Sequence, residues 1–192
     1  MPDLRLMILL YFVCELLVAG VSKTVNKETG LLGWKLTQGS LQLELIQRLP
    51  DQTRAFLLGR GFPHDISDKL AHSCVFQTIL RNTDKIDNIH SSALTVSLKD
   101  WQINQAGVIQ SLKLKESWDQ SWADNIVSPA ARLAFRWATF PTTQTFQAGD
   151  YNWGMIIFGP PPGTQFDLQI LWTKDDKKYS SEIKKLNCAD DR

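Results

Sequence analysis

The clearest strand pattern in this chain is the stretch FDLQILWT, residues 166–173. Phe166, Leu168, Ile170 and Trp172 occupy every second position, with mostly polar residues between them. Alternation with a period of two is typical of a strand that buries one face. Similar alternation, or an enrichment in β-branched and aromatic residues, predicts further strands at residues 41–45, 74–80, 93–101, 108–118, 153–158 and 179–186.

Turn signals separate these short strands along the whole chain. The clearest are Pro50-Asp51, Gly149-Asp150 and the run GPPPG at residues 159–163. Many short strands with regular turns are typical of β-sandwiches and barrels. The sequence therefore predicts a mainly β fold, an antiparallel β-sandwich of immunoglobulin-like or jelly-roll-like form.

One short helix is predicted near residues 63–73. Pro63 suits the first position of a helix, because its missing N–H has no partner there in any case. Ile66, Leu70 and Cys74 fall four residues apart. On a helix they form one apolar stripe, which we expect to face the core.

Residues 132–139 are ambiguous between a helix and a strand. Ala131 and Ala134 favour a helix, whereas Phe135 and Trp137 favour a strand. We expect the tryptophans that follow strand patterns to lie in the core, namely Trp101, Trp137 and Trp172.

The beginning of the chain has the composition of a targeting segment. Arg5 supplies a positive charge, residues 6–18 form an apolar run, and Val18-Ala19-Gly20 offers small residues at which a signal peptidase could cut. Glu15 interrupts the run, which is also shorter than the ~20 apolar residues that span a bilayer.

We therefore predict a signal peptide over residues 1–20 and a single β-rich domain over residues 21–192. The protein is then exported, either to a periplasm or out of the cell. The alternatives are an uncleaved membrane anchor and a buried core helix. Contact with a membrane is expected only if the segment is not removed.

Cleavage at this site leaves two cysteines, Cys74 and Cys188. An even pair in an exported chain indicates a disulfide bond. Because the bond would close a long loop, it would stabilise the fold by roughly 4–5 kcal/mol in the chain-entropy treatment. The alternative is a nucleophilic Cys74 thiolate with His72 or His90 as its base.

Charge and motifs exclude several classes of protein. The formal net charge is +1, and loss of residues 1–20 would raise it only to +2, so no nucleic-acid partner is expected. The sequence has no Gly-Lys-Ser/Thr phosphate loop, no Gly-x-Ser-x-Gly, no His-Glu-x-x-His and no Cys-x-x-Cys. We predict no catalytic residue and no cofactor. The alternative of an enzyme whose catalytic residues come together only in the folded chain stays open.

The C-terminal lysines are the densest group of like charges. Asp175, Asp176 and Glu182 lie among them. We interpret the group as the solvated face of a hairpin, with a binding patch as the alternative. Its members are Lys174, Lys177, Lys178, Lys184 and Lys185.

His64, Asp68 and His72 are spaced four residues apart and would share one face of the predicted helix. Two imidazoles and a carboxylate suit zinc or copper. However, the outer two residues would lie about 12 Å apart along a regular helix axis, too far to ligate one ion readily. We therefore interpret the three as a solvated polar face and predict no metal, keeping them as weak candidates.

Four aromatic residues are candidates for binding a ligand. Trp118 and Trp122 flank polar residues, and Tyr151 and Trp153 follow a turn signal. Aromatic faces beside amide and carboxylate groups suit a carbohydrate. The same residues also suit a protein interface, where tryptophan and tyrosine are enriched, or simple anchoring of loops in the core.

The function that these observations favour is an exported, non-enzymatic binding or accessory protein that presents a β-sandwich surface to a protein partner. One alternative is a carbohydrate-binding module that uses Trp118, Trp122 and Trp153. Another is a periplasmic metal-binding protein, and a hydrolase without a recognisable motif comes last.

Overall fold

Two antiparallel β-sheets form the framework of the computed structural model, which describes residues 20–86, 92–122 and 126–191. Strand accounts for 45% of the structure and helix for 22%. The strands are, in chain order, β1 (Gly20–Val25), β2 (Leu32–Gln38), β3 (Leu41–Gln47), β4 (Val75–Asn82), β5 (Leu94–Ser97), β6 (Gln102–Gln105), β7 (Val108–Ser111), β8 (Thr143–Phe146), β9 (Tyr151–Ile157), β10 (Gln165–Lys174) and β11 (Lys177–Asn187). The helices are α1 (Pro50–Leu58), α2 (His64–Ala71), α3 (Lys115–Gln120) and α4 (Pro129–Ala138), and Leu98–Asp100 form a 3₁₀ turn.

The strands of the first sheet follow the order β1-β2-β3-β4-β9, and the second sheet is built around β10. One edge of β10 pairs with β11. Its other edge pairs with β5 and β6, which in turn pair with β8 and β7. One hydrophobic cluster contains residues of both sheets. The predicted mainly β, antiparallel sandwich is therefore confirmed. Two sequence-based predictions, most of the signal peptide (residues 1–19) and His90, lie outside the described residues.

The core between the sheets follows the alternation in the sequence. Leu36, Leu43 and Leu80 are cross-strand partners in the first sheet, and all three are fully buried. Leu168 and Ile170 of β10 belong to the same cluster from the second sheet. Burial of each such side chain contributes roughly 1.5–3 kcal/mol, so the apolar alternation is what holds the two sheets together.

A layer of helices covers one half of the outer face of the first sheet. Val75, Met155 and Ile157 point outward from that sheet and are buried in a second hydrophobic cluster. Tyr151 and Trp153, toward the other end of β9, stay exposed. The helical members of the second cluster are Leu57, Leu70, Trp118, Ala131 and Phe135.

The predicted helix near residues 63–73 is α2, which begins at His64 and ends at Ala71. Leu70 is buried, and the partly buried Ile66 packs against the same cluster. α1, α3 and α4 are additional to the prediction. Pro50, interpreted above as part of a turn, begins α1, where its fixed φ suits a first helical turn. The strand predicted at residues 108–118 ends early, because α3 takes its second half.

The ambiguous residues 132–139 belong almost entirely to the helix α4. Ser128 caps this helix by accepting a hydrogen bond from the N–H of Ala131 at 3.2 Å, and Pro129 occupies its first turn. Helical spacing buries Phe135 and leaves Trp137 82% exposed. The expectation that Trp137 lies in the core is therefore wrong, because it rested on a strand period that this segment does not follow.

The predicted disulfide bond between Cys74 and Cys188 is present, and both cysteines are buried. Cys74 joins α2 to β4, and its carbonyl accepts a hydrogen bond from the N–H of Phe158 at 3.0 Å. Cys188 follows β11, and its N–H donates to the carbonyl of Thr164 at 2.8 Å. The bond therefore ties the end of the chain to the junction between the helix layer and the first sheet.

Among the described residues, no helix is long and apolar enough to cross a bilayer.

Replacement of both Cys74 and Cys188 by alanine should lower the free energy of unfolding by about 2–5 kcal/mol, because the bond closes a long loop. Urea unfolding of the variant and the wild-type protein measures the difference. In the denatured, unreduced wild-type protein, neither Cys74 nor Cys188 should react as a free thiol. Recovery of both thiols from fresh protein would contradict the disulfide.

Candidate functional site: an aromatic groove between α1, α4 and β9

An open groove lies on the surface where α1, α4 and the edge strand β9 meet. Its volume is about 590 Å³, within the range of roughly 300–1,000 Å³ that is usual for ligand pockets. Three aromatic residues contribute to its walls: Phe56 of α1, Trp137 of α4 and Trp153 of β9. The remaining lining residues are Arg60, Ala130, Leu133, Ala134 and Ala138.

The helix α4 supplies most of the groove because its surface is apolar on two sides. Ala131 and Phe135 face inward and are fully buried. Leu133 and Trp137 lie four residues apart on another face, and both are more than half exposed. An ordinary surface helix is polar on the side away from the core. Exposed leucine and tryptophan at this spacing therefore form an apolar surface patch that an ordinary surface helix does not have.

Ion pairs to α3 fix the rotation of α4 about its axis. Arg132 donates from Nη1 to Asp119 Oδ1 at 3.2 Å, and Arg136 donates from Nε to Asp119 Oδ2 at 2.9 Å. Arg132 also donates to the carbonyl of Trp122. Because the two arginines lie on the side of α4 that faces α3, the helix cannot turn to bury Trp137 without breaking these contacts.

The C-terminal end of α4 leads directly to β9, which brings Trp137 and Trp153 to one groove. Thr139 forms an isolated parallel bridge with Met155, and Phe140 N–H donates to the carbonyl of Met155 at 2.9 Å. Trp153 lies two residues before Met155 on the outer face of the sheet, and 60% of it is exposed. The relative position of the two tryptophans in the groove is therefore determined by backbone contacts as well as by side chains.

The exposed face of β9 extends the aromatic surface beyond the groove. Tyr151 lies two residues from Trp153 on the same face, and the guanidinium carbon of Arg81 lies 5.0 Å from its ring centroid. Between them, Asn152 accepts a hydrogen bond from Trp153 N–H at 2.7 Å and donates to Gln144 of β8 at 2.6 Å. These bonds hold the strand edge in place, so the two rings are presented on a rigid support.

The structure divides the four aromatic candidates into two groups. Trp118 and Trp122 are only 5% and 8% exposed and belong to the helix-layer cluster. Tyr151 and Trp153 are exposed on β9. The three tryptophans suggested for a sugar therefore do not lie together on one exposed face.

Four groove residues were not identified from the sequence as candidates for binding: Phe56, Arg60 and Leu133, and Trp137, which was assigned to the core. The signal that could have found two of them is Ser128-Pro129, a typical helix start, followed by Leu133 and Trp137 at helical spacing. Phe56 and Arg60 had no such signal, because they come to the groove only when α1 packs beside α4.

Among the residues that the structure describes, Arg60 is the one charged residue of the groove lining. Its guanidinium carbon lies 5.4 Å from the ring centroid of Phe56, a cation–π distance. Among the described residues, no acidic side chain lines the groove. The groove thus combines a large apolar area with a single positive charge.

The weak metal candidates are engaged in other contacts. Asp68 accepts a hydrogen bond from Arg54 Nε, and His72 donates from Nδ1 to the carbonyl of Asp68 and from Nε2 to Asp191, both at 2.8 Å. His64 is exposed on the same helix. Within residues 20–86, 92–122 and 126–191, no three His, Cys, Asp or Glu side chains are placed to hold a metal ion.

The contacts of His72 raise its pKa above the ordinary histidine value. The hydrogen bond to the carbonyl of Asp68 is the largest cause, followed by the hydrogen bond to Asp191, while burial and the charge of Arg54 oppose the shift. Both ring nitrogens donate only in the imidazolium form. The imidazolium form of His72 therefore fastens Asp191, near the C-terminus, to the end of α2, close to the disulfide.

Comparisons with protein-family models, with curated proteins and with solved structures found no match to this chain.

The stabilising effect of His72 should depend on pH. Because the pKa of His72 is higher in the folded state, its contribution is complete below the unfolded value of about 6.5 and is lost as the pH rises through the folded value. Unfolding of wild-type protein and His72→Gln between about pH 5.5 and pH 8.5 should show a stability difference that shrinks with increasing pH. His64→Gln, on the same helix, is the control. A difference that stays constant over this range would contradict the assignment of His72 as an imidazolium.

Proposed function

We propose that this protein is an exported, non-enzymatic binding protein whose groove receives an apolar segment of a protein partner that carries an acidic residue. The observation that carries this proposal is the exposure of Leu133, Trp137 and Trp153 side by side on a rigid support. Stable surfaces rarely expose contiguous apolar area of this kind unless it is covered in use.

The residue types of the groove support a protein partner. Tryptophan, tyrosine and arginine are the residues that most often contribute strongly to protein interfaces, and the groove and its margin contain Trp137, Trp153, Tyr151 and Arg60. Arg60 is the one charged residue in the described lining of the groove, so a carboxylate on the partner would complement it.

The same lining argues against a sugar as the occupant of the groove. A bound sugar needs hydrogen-bonding groups around its ring as well as an aromatic face. Apart from Arg60, the lining side chains are those of alanine, leucine, phenylalanine and tryptophan. Among these side chains, the indole N–H groups of Trp137 and Trp153 are the hydrogen-bond donors, which is too few for the hydroxyl groups of a sugar.

Export is supported by the disulfide bond together with the apolar run at residues 6–18. Disulfide bonds form and persist in periplasmic and extracellular compartments. A partner of the groove is then expected in the same compartment.

The test uses two amphipathic helical peptides as probes. Both have the same apolar face of leucine and alanine and differ only in one flanking residue, which is glutamate in one and lysine in the other. The glutamate peptide should bind more tightly, and Trp137→Ala should weaken its binding about thirtyfold, equivalent to roughly 2 kcal/mol. Tryptophan fluorescence and calorimetry measure the affinities.

Two matched variants serve as controls. Ile109→Ala removes an exposed aliphatic side chain on β7 and should leave the affinity unchanged. Arg60→Glu should reverse the preference between the two peptides, whereas Lys99→Glu, a charge reversal on the 3₁₀ turn, should not. The proposal would be contradicted if the protein bound neither peptide and bound soluble oligosaccharides or phosphatidylglycerol vesicles instead.

A further inference from the structure

The second sheet ends in a long strand whose outer edge is open. β11 pairs with β10 from Lys177 to Asn187, and no other described strand pairs with it. In an antiparallel edge strand, every second residue directs its backbone N–H and C=O away from the sheet. Over residues 177–183, β11 therefore offers a row of hydrogen-bonding groups on the side away from β10. Beyond Ile183 the pairing with β10 shifts register, the N–H of Lys185 donates to Asp167 Oδ1 at 2.8 Å, and the carbonyl of Asn187 accepts from Gln47 Nε2 at 2.7 Å.

β1 extends beyond this edge in the opposite sheet. β11 packs against β2 across the sandwich, and β1 pairs with the far side of β2. Neighbouring strands lie about 4.8 Å apart, so β1 lies one strand position beyond β11. All six residues of β1 are exposed. The first sheet is thus one strand wider than the second sheet on this side.

The inner face of β1 carries Val21 and Val25 on either side of Lys23, and all three residues are exposed in the described structure. Val21 pairs with Leu36, and Lys23 with Trp34, so these side chains share the face that points to the core. Lys23 Nζ lies 5.2 Å from the ring centroid of Trp34. Val21 and Val25 are nevertheless 44% and 58% exposed. A further strand beside β11 would lie beneath them.

We propose that β11 is a second interaction surface, to which an extended segment of another protein adds as an extra strand. The segment's backbone pairs with the open edge of β11. Its inward side chains are apolar and pack beneath Val21 and Val25. This surface is separate from the groove, which is lined by residues of α1, α4 and β9, and its occupant is a strand and not a helix.

The charge of β11 specifies the chemistry of the segment. The strand contains four lysines, at its two ends, and one acidic residue, Glu182, which pairs with Lys184 at 3.3 Å. Other acidic residues nearby are Asp175 and Asp176 in the turn before the strand and Asp167 of β10, whose Oδ1 accepts a hydrogen bond from the N–H of Lys185 at 2.8 Å. An edge with this positive charge repels a second copy of itself. The occupant is therefore a segment in which apolar and acidic residues alternate. The lysines of β11 are Lys177, Lys178, Lys184 and Lys185.

Three fluorescent peptides test this proposal on the full-length mature protein. Each is about nine residues long, within the usual length of a strand. One alternates valine with glutamate, one alternates valine with lysine, and one is the glutamate peptide with prolines that block backbone pairing. The glutamate peptide should bind. The lysine peptide should bind with an affinity at least about tenfold lower, and the proline peptide should not bind. Fluorescence anisotropy measures all three.

Hydrogen exchange locates the binding. The glutamate peptide should slow amide exchange in residues 177–183 and leave α1 and α4 unchanged. Lys178→Glu with Lys184→Glu should invert the preference between the two charged peptides, and Val25→Ser should weaken both, whereas Lys99→Glu should have no effect. Equal binding of the two charged peptides would contradict the proposal. Protection confined to the groove, or β11 amides that already exchange as slowly as those of β10 without peptide, would also contradict it.

Discussion

The close crossing of two backbone segments at Gly154 links all the layers of this structure. A Cβ atom at this position would lie 2.5 Å from the backbone nitrogen of Phe140, so only glycine lets the two segments meet. The chain leaves α4 here, crosses the edge of the first sheet beside Met155, buries Phe140 in the core between the sheets and continues as β8 in the second sheet. The helix layer, both sheets and the groove all depend on this contact.

The periodic strands could be predicted from the sequence because their burial is decided locally. The alternation of Phe166, Leu168, Ile170 and Trp172 matches the face of β10 that is buried in the core. The disulfide was also predictable, since only two cysteines lie beyond the apolar N-terminal run. The α2 helix followed from its apolar stripe. In each case the pattern needed no knowledge of distant parts of the chain.

The groove could not be predicted in the same way, because it forms where three elements from distant parts of the sequence meet. Trp137 is expected in the core when its segment is treated as a strand. The helix cap at Ser128 and the ion pairs of Asp119 with α4 instead place it at the surface. Trp118 and Trp122 show the opposite case. Their polar neighbours suggested a ligand surface, but the helix layer needs large side chains to fill the space above Met155 and Ile157.

The two surfaces proposed for partners lie on different parts of the sandwich and offer different chemistry. The groove combines aromatic rings with one arginine, whereas β11 combines an open backbone edge with lysines. The contacts that fasten the chain end, the disulfide and the His72–Asp191 pair, belong to neither surface. On these two proposals, one partner would be held by side chains and the other by the backbone, while the core between the sheets stays unchanged.

Quenching of tryptophan fluorescence by acrylamide tests the central claim, the exposure of an aromatic groove, most directly. All seven tryptophans lie in the described part of the chain, and five of them are buried, leaving Trp137 and Trp153 as the exposed pair. The account predicts that Trp137→Phe with Trp153→Phe shifts the emission to shorter wavelength and removes most of the quenching. A double variant that is quenched as readily as the wild-type protein would contradict it.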